Sequence, residues 1–232
     1  MKPYPCFARG QQGFTLLELS IALIVVAIII SALSVGGDLQ RNATYQRLGT
    51  SFVRGWQLAF LTHTDRVGVV PGDSQTTPTG KINAANNSEL CDLPLRNSMY
   101  AAGVTMPQGR AEGFETHYGY LDSNGNPQDV SACFANVVWS IPGASAGIYV
   151  TQRKNVLILR GLTPDLARML DTLVDGNPDA RFGSFRQQAY ADSTSTAGAE
   201  WNGDNRYAIN GILTNLDESQ VLTLTAYYLM DS

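Results

Sequence analysis

The chain has 232 residues and carries 16 lysines and arginines against 20 aspartates and glutamates, a formal net charge of −4. That length suits one globular domain plus a separate helix, and the acidic balance disfavours generic nucleic-acid binding, which needs a basic footprint. The two histidines, His63 and His117, fall in no metal-ligand spacing, and there is no glycine-rich phosphate loop or nucleophile elbow. Catalysis therefore has no basis in the sequence, and no cofactor or metal is expected.

The amino-terminal segment is the most distinctive. Lys2 and Arg9 lead into Gly13-Phe14-Thr15-Leu16-Leu17-Glu18, and an apolar run broken only by small residues such as Ser20 and Ser31 continues from Leu19 to Val35. Phe14 to Val35 is long enough to cross hydrocarbon as a helix rising about 1.5 Å per residue. The basic leader places residues 1–13 in the cytoplasm and the bulk of the chain across the membrane. An ordinary secretory signal, cut near Ala32-Leu33-Ser34, and a plain membrane anchor both offer alternatives. Neither accounts for Glu18, because a carboxylate inside a membrane-length helix is costly and marks function.

Gly13-Phe14-Thr15-Leu16-Leu17-Glu18-Leu19 resembles the class III signal of type IV pilins and type II secretion pseudopilins. The resemblance covers about residues 9–37. It implies cleavage between Gly13 and Phe14 by a prepilin peptidase, methylation of the new Phe14 amino terminus, and retention of the apolar helix. Glu18 then stands fifth in the mature chain, one helical turn from Phe14. In a stack of subunits it would meet the amino terminus of a neighbour, so that pairing sets register more than strength. The implied partners are identical or related subunits, the peptidase and methylase, an inner-membrane assembly platform, and membrane lipid before assembly.

Beyond Gly36-Gly37, a weak spot for helix, Leu48, Phe52, Trp56, Ala59, Phe60 and His63 recur at helical spacing. One helix from about residue 14 to 64 would reach roughly 75 Å. His63 reads as a polar residue at a helix interface. Cleavage removes Cys6 and leaves Cys91 and Cys133 as an even pair in an exported domain. A disulfide is expected, with two separate buried thiols as the alternative. Residues 65–135, rich in Gly, Pro, Asn, Ser and Thr, read as long loops with one or two short elements held by that bridge.

Strand signals follow at 136–141, 147–151 and 155–160. Thr163-Pro164-Asp165 starts a helix, with an apolar stripe of Leu166, Met169, Leu170, Leu173 and Val174, and Gly176 ends it. Asp171 and Asp175-Gly176-Asn177-Pro178-Asp179 alternate oxygen ligands as a calcium loop would. An EF-hand would want Gly and Glu where Ala180 and Arg186 stand, so a helix-ending turn is favoured. Asp122-Ser123-Asn124-Gly125-Asn126 is an Asn-Gly turn, Asp192–Gly198 a flexible loop open to glycosylation, Tyr207–Leu213 a tight hairpin, and Val221–Leu229 the last strand.

The expected architecture is α+β: a long amino-terminal helix, transmembrane in its first half, packed on an antiparallel sheet. Residues 1–13 form a leader, 14–37 the membrane and assembly helix, 38–66 its amphipathic continuation, and 67–232 the head. The expected function is that of a pilin, major or minor, in a type IV pilus-like filament, or of a secretion pseudopilin. The protein would reside in the inner membrane with its carboxyl-terminal domain periplasmic, then in a surface pilus or periplasmic pseudopilus. A mature chain beyond the length of a compact major pilin favours a minor or specialised subunit. Glu18 disfavours the tip pseudopilin, which typically lacks that residue.

Overall fold

The computed structural model describes residues 15–201 and 223–230; the expected hairpin at Tyr207–Leu213 lies outside them. Two compact units divide the chain at residue 42/43, and each is described by itself.

The first unit is the larger part of α1 (Leu16–Arg47), an α-helix that runs through the Gly36-Gly37 pair without interruption. The irregularity falls later. Leu48–Val53 is a π-helical segment, followed by α2 (Arg54–Val67). Within the π-helical segment, a Cβ on Gly49 would stand 2.7 Å from Leu173 and 3.1 Å from Leu170, so only glycine lets the facing helix come this near.

The second unit is built on an antiparallel sheet. Its strands are β1 (Glu89–Cys91), β2 (His117–Leu121), β3 (Pro127–Pro142), β4 (Tyr149–Leu162), β5 (Phe185–Gln187) and β6 (Leu224–Leu229), with α3 (Asp92–Ala101) and α4 (Pro164–Asp175) between them. The order is β1-β3-β4-β6-β5, and β2 also pairs with β3. β2 lies along residues 127–131 of β3 and β1 along 133–135, so two short strands share one edge end to end. Together with the helices this is the expected α+β arrangement.

Alternation along β3 explains its two faces. Val130, Ala132 and Phe134 point toward α2, where the Phe134 ring lies 6.0 Å from Trp56 and 5.4 Å from Phe60. Leu157, Leu159, Ala226 and Tyr228 extend the same core under α4. Cys133, Ala135, Val137 and Trp139 point the other way and form a smaller cluster with Val156, Ile158 and Tyr227. Both faces of β3 are covered from Ala132 to Val137, and Asn136 is the one polar residue in that stretch.

Helix α4 begins and ends as its sequence dictates. Thr163 caps it by accepting from Leu166 N–H at 3.5 Å, Pro164 opens it, and Gly176 closes it in the left-handed region at φ 82°.

Residues 65–135 hold more structure than their composition suggested: β1, α3, β2 and the first half of β3 all lie there. α3 buries only Leu95 and Met99, one turn apart, and β2 only Tyr120, too little apolar spacing to stand out among Asn, Ser and Gly. The two strand signals at 147–151 and 155–160 belong to the single strand β4.

Candidate functional site: the amino-terminal segment and its supports

Gly13 and Phe14 lie outside the described residues; the description begins at Thr15. Thr15 and Glu18 form a reciprocal cap at the start of α1. Thr15 N–H and Oγ1–H donate to Glu18 Oε2 at 2.9 and 3.0 Å, and Glu18 N–H donates back to Thr15 Oγ1 at 3.2 Å. This is a capping box, and it satisfies two donors that a helix start otherwise leaves open. The Thr-x-x-Glu spacing ahead of an apolar run was the available signal, and reasoning from the glutamate alone passed over it.

From Thr15 to Ser31 every side chain is exposed within the chain, from 88% at Leu16 to 48% at Val25 among the large apolar residues. The serines add no unmet polar group: Ser20 Oγ donates to Leu17 O at 2.8 Å and Ser31 Oγ to Ala27 O at 2.9 Å. A helix apolar on all sides demands an apolar surrounding from outside its own chain. Among the described residues, no helix is long and apolar enough to cross a membrane. The apolar sequence itself runs on through Val35.

Cys91 and Cys133 face each other on β1 and β3, bonded, with Cα atoms 4.5 Å apart. That spacing is the narrow, non-hydrogen-bonded cross-strand pair. Arg160 Nη1 donates to Cys133 Sγ at 3.3 Å, and Arg160 also pairs with Glu89, so an ion pair from β4 lies against the bridge.

The acidic turns prove to be acceptors for backbone N–H groups. Asp122 Oδ1 accepts from Asn124 and Asn126 N–H at 2.8 and 2.9 Å, which closes the β2–β3 turn. Burial would raise its carboxyl, but these bonds and Gln128 hold it below the usual carboxylate range. Asp175 Oδ2 accepts from Ser184 and Phe185 N–H, and Asp179 Oδ1 from Arg181, Phe182 and Ala199 N–H. These oxygens are turned to amide hydrogens, as in a helix-ending turn.

His63 is buried between α2 and α3, its Nε2 lying 3.4 Å from Ser98 Oγ, and burial pulls its imidazole below the usual range. His117 is clamped between carboxylates, Nδ1 to Asp129 at 2.6 Å and Nε2 to Asp92 at 3.1 Å. Burial opposes its charge, but the bonds to Asp129 and Asp92 prevail and raise it. These partners come from β3 and the start of α3, so linear spacing could not reveal the clamp.

Residues 8–34 match the family model described as the prokaryotic N-terminal methylation motif. The chain carries the class III prepilin signal. That signal belongs to type IV pilins and pseudopilins and implies handling by a prepilin peptidase. No curated protein and no solved structure matches the chain.

Proposed function

We propose that this protein is a structural subunit of a type IV pilus-like filament, assembled from the inner membrane through residues 14–37. Cleavage between Gly13 and Phe14 would free the amino terminus, and methylation would mark it. Lipid would cover the apolar helix first, and neighbouring subunits would cover it after extraction by an assembly platform. The observation that carries this reading is the helix itself: Thr15-capped, apolar on every side, with Glu18 its one charged residue before Asp38. A buried carboxylate gains little as an isolated anchor, but it can fix register once a neighbour's positive amino terminus reaches it. The head, residues 67–232, would face the periplasm and then the filament surface.

The test is filament yield in Glu18→Ala at equal precursor level, read by shearing cells and blotting the released fraction. Normal cleavage with a strongly reduced yield supports the reading. Wild-type yield would mean that packing alone sets register and that Glu18 has another role. Filaments that stay in the periplasm while protein secretion depends on them would mark a type II secretion pseudopilin instead.

A further inference from the structure

α4 ends in carboxylates that fasten the segment after it. Asp171 is 0% exposed, and its Oδ2 accepts from Asp179 N–H at 2.7 Å and from the Trp201 indole N–H at 2.8 Å. Asp175, one helical turn on, holds the N–H groups of Ser184 and Phe185 at 2.9 and 2.8 Å. Asp179 holds Ala199 N–H at 3.3 Å. The contact is built for these groups: Gly183 has φ +86°, and a Cβ there would stand 2.3 Å from Asp175 Oδ2. A Cβ on Gly198 would stand 2.5 Å from Asp179 Oδ2.

One oxygen remains unaccounted for. Asp171 Oδ1 is buried and accepts no hydrogen bond among the described residues, and Asp175 stands one helical turn away on the same face of α4. An ionised Asp171 would bury an oxygen without a donor beside a second carboxylate. A proton on Asp171 removes both penalties.

No nearby cation takes that role among the described residues. On α4, Arg168 pairs with Asp165 and reaches the Trp201 carbonyl at 3.4 Å. On β5, Arg186 stacks 4.2 Å over Trp139 and donates to Ser140, while its field falls on Asp175 and Asp179. Arg181 lies over Tyr190, Arg54 of α2 donates to the Leu173 carbonyl, and Tyr228 of β6 feels Asp175.

We propose that Asp171, protonated beside Asp175, forms with it an acid-tightened clasp that fastens residues 176–201 to α4 and loosens them as pH rises. Burial pushes the Asp171 carboxyl up to about 7, against the opposing donors Trp201 and Asp179 and with Asp175 adding to it. The closed form therefore binds a proton that the open form, near the ordinary value of 3.8, has already lost. Closure is strongest in acid, weakens as pH rises from about 4 to about 7, and is level above that range. The clasp stands on these contacts alone and does not depend on the filament reading. A protein whose head meets an unbuffered exterior would thereby present a firmer 176–201 surface in acid.

The experiment is hydrogen exchange on the full chain in detergent micelles between pH 4.5 and 8.5, corrected for intrinsic rates. The amides of Asp179, Ser184 and Phe185 should lose protection by up to about tenfold per pH unit up to about pH 7, while those of Val156–Leu159 keep theirs. Asp171→Asn mimics the protonated carboxyl, with its amide able to donate to Asp175, and should flatten the profile. Asp175→Asn removes the neighbouring charge and should move the wild-type decline to lower pH. A flat wild-type profile, or an undiminished slope in Asp171→Asn, overturns the proposal.

Discussion

Thr15 and Glu18 hold each other at the start of α1, with Thr15 N–H 2.9 Å from Glu18 Oε2 and Glu18 N–H 3.2 Å from Thr15 Oγ1. Both residues stay on the mature side of the expected cleavage, so the box survives processing. The carboxylate is thereby oriented and the helix start closed. Thr15→Val keeps the shape and removes the hydroxyl. It should cost the helix start about 1 kcal/mol and lower filament yield less than Glu18→Ala does. Sheared-filament blots of the two variants check the order; equal yields of Thr15→Val and wild type would leave the cap without a role in assembly.

The Cys91–Cys133 pair ties β1, and α3 directly behind it, to the sheet edge across 42 residues of sequence. Peptide mapping without reductant should recover the two cysteines as one linked species. The Cys91→Ser, Cys133→Ser double variant should lose roughly 4 kcal/mol by the chain-entropy account, read as a lower denaturant midpoint. Two free thiols in exported protein would contradict the pairing.

Much of the core was legible because its signals are local. The Thr163-Pro164 start and Gly176 end of α4 are written in adjacent residues, and the α2 stripe of Trp56, Ala59, Phe60 and His63 is a plain helical period. What escaped depends on residues far apart in sequence. Gly49 meets Leu173 across more than a hundred residues, and the His117 clamp forms because α3 and β3 bring Asp92 and Asp129 together. The extra structure in 65–135 is of the same kind, since β1 and β2 are short strands that make sense only against β3.

Phe134 is the point where sheet and helix meet, fully buried against Trp56 and Phe60. Phe134→Ala should cost about 3–5 kcal/mol, with Phe134→Leu recovering much of it. Chemical denaturation of the two variants measures both; a loss below about 1 kcal/mol for alanine would show that this contact carries little of the core.

His117 should titrate above its ordinary value of 6.5, because imidazolium satisfies both Asp129 and Asp92. With the folded value raised, its contribution is full below 6.5 and is lost as pH climbs through the folded value. An NMR titration of the His117 ring should show this, and His117→Gln should remove the corresponding loosening of Asp92 from β2. A midpoint below 6.5 would contradict the clamp.

Assembly through residues 14–37 requires that the mature chain begin at Phe14. Mass spectrometry of the amino terminus from membrane or filament fractions measures it directly. The account predicts a methylated Phe14 and, in Gly13→Lys, an uncleaved precursor held in the membrane. A mature terminus beyond Ala32 would make the segment an ordinary secretory signal and contradict the filament reading outright.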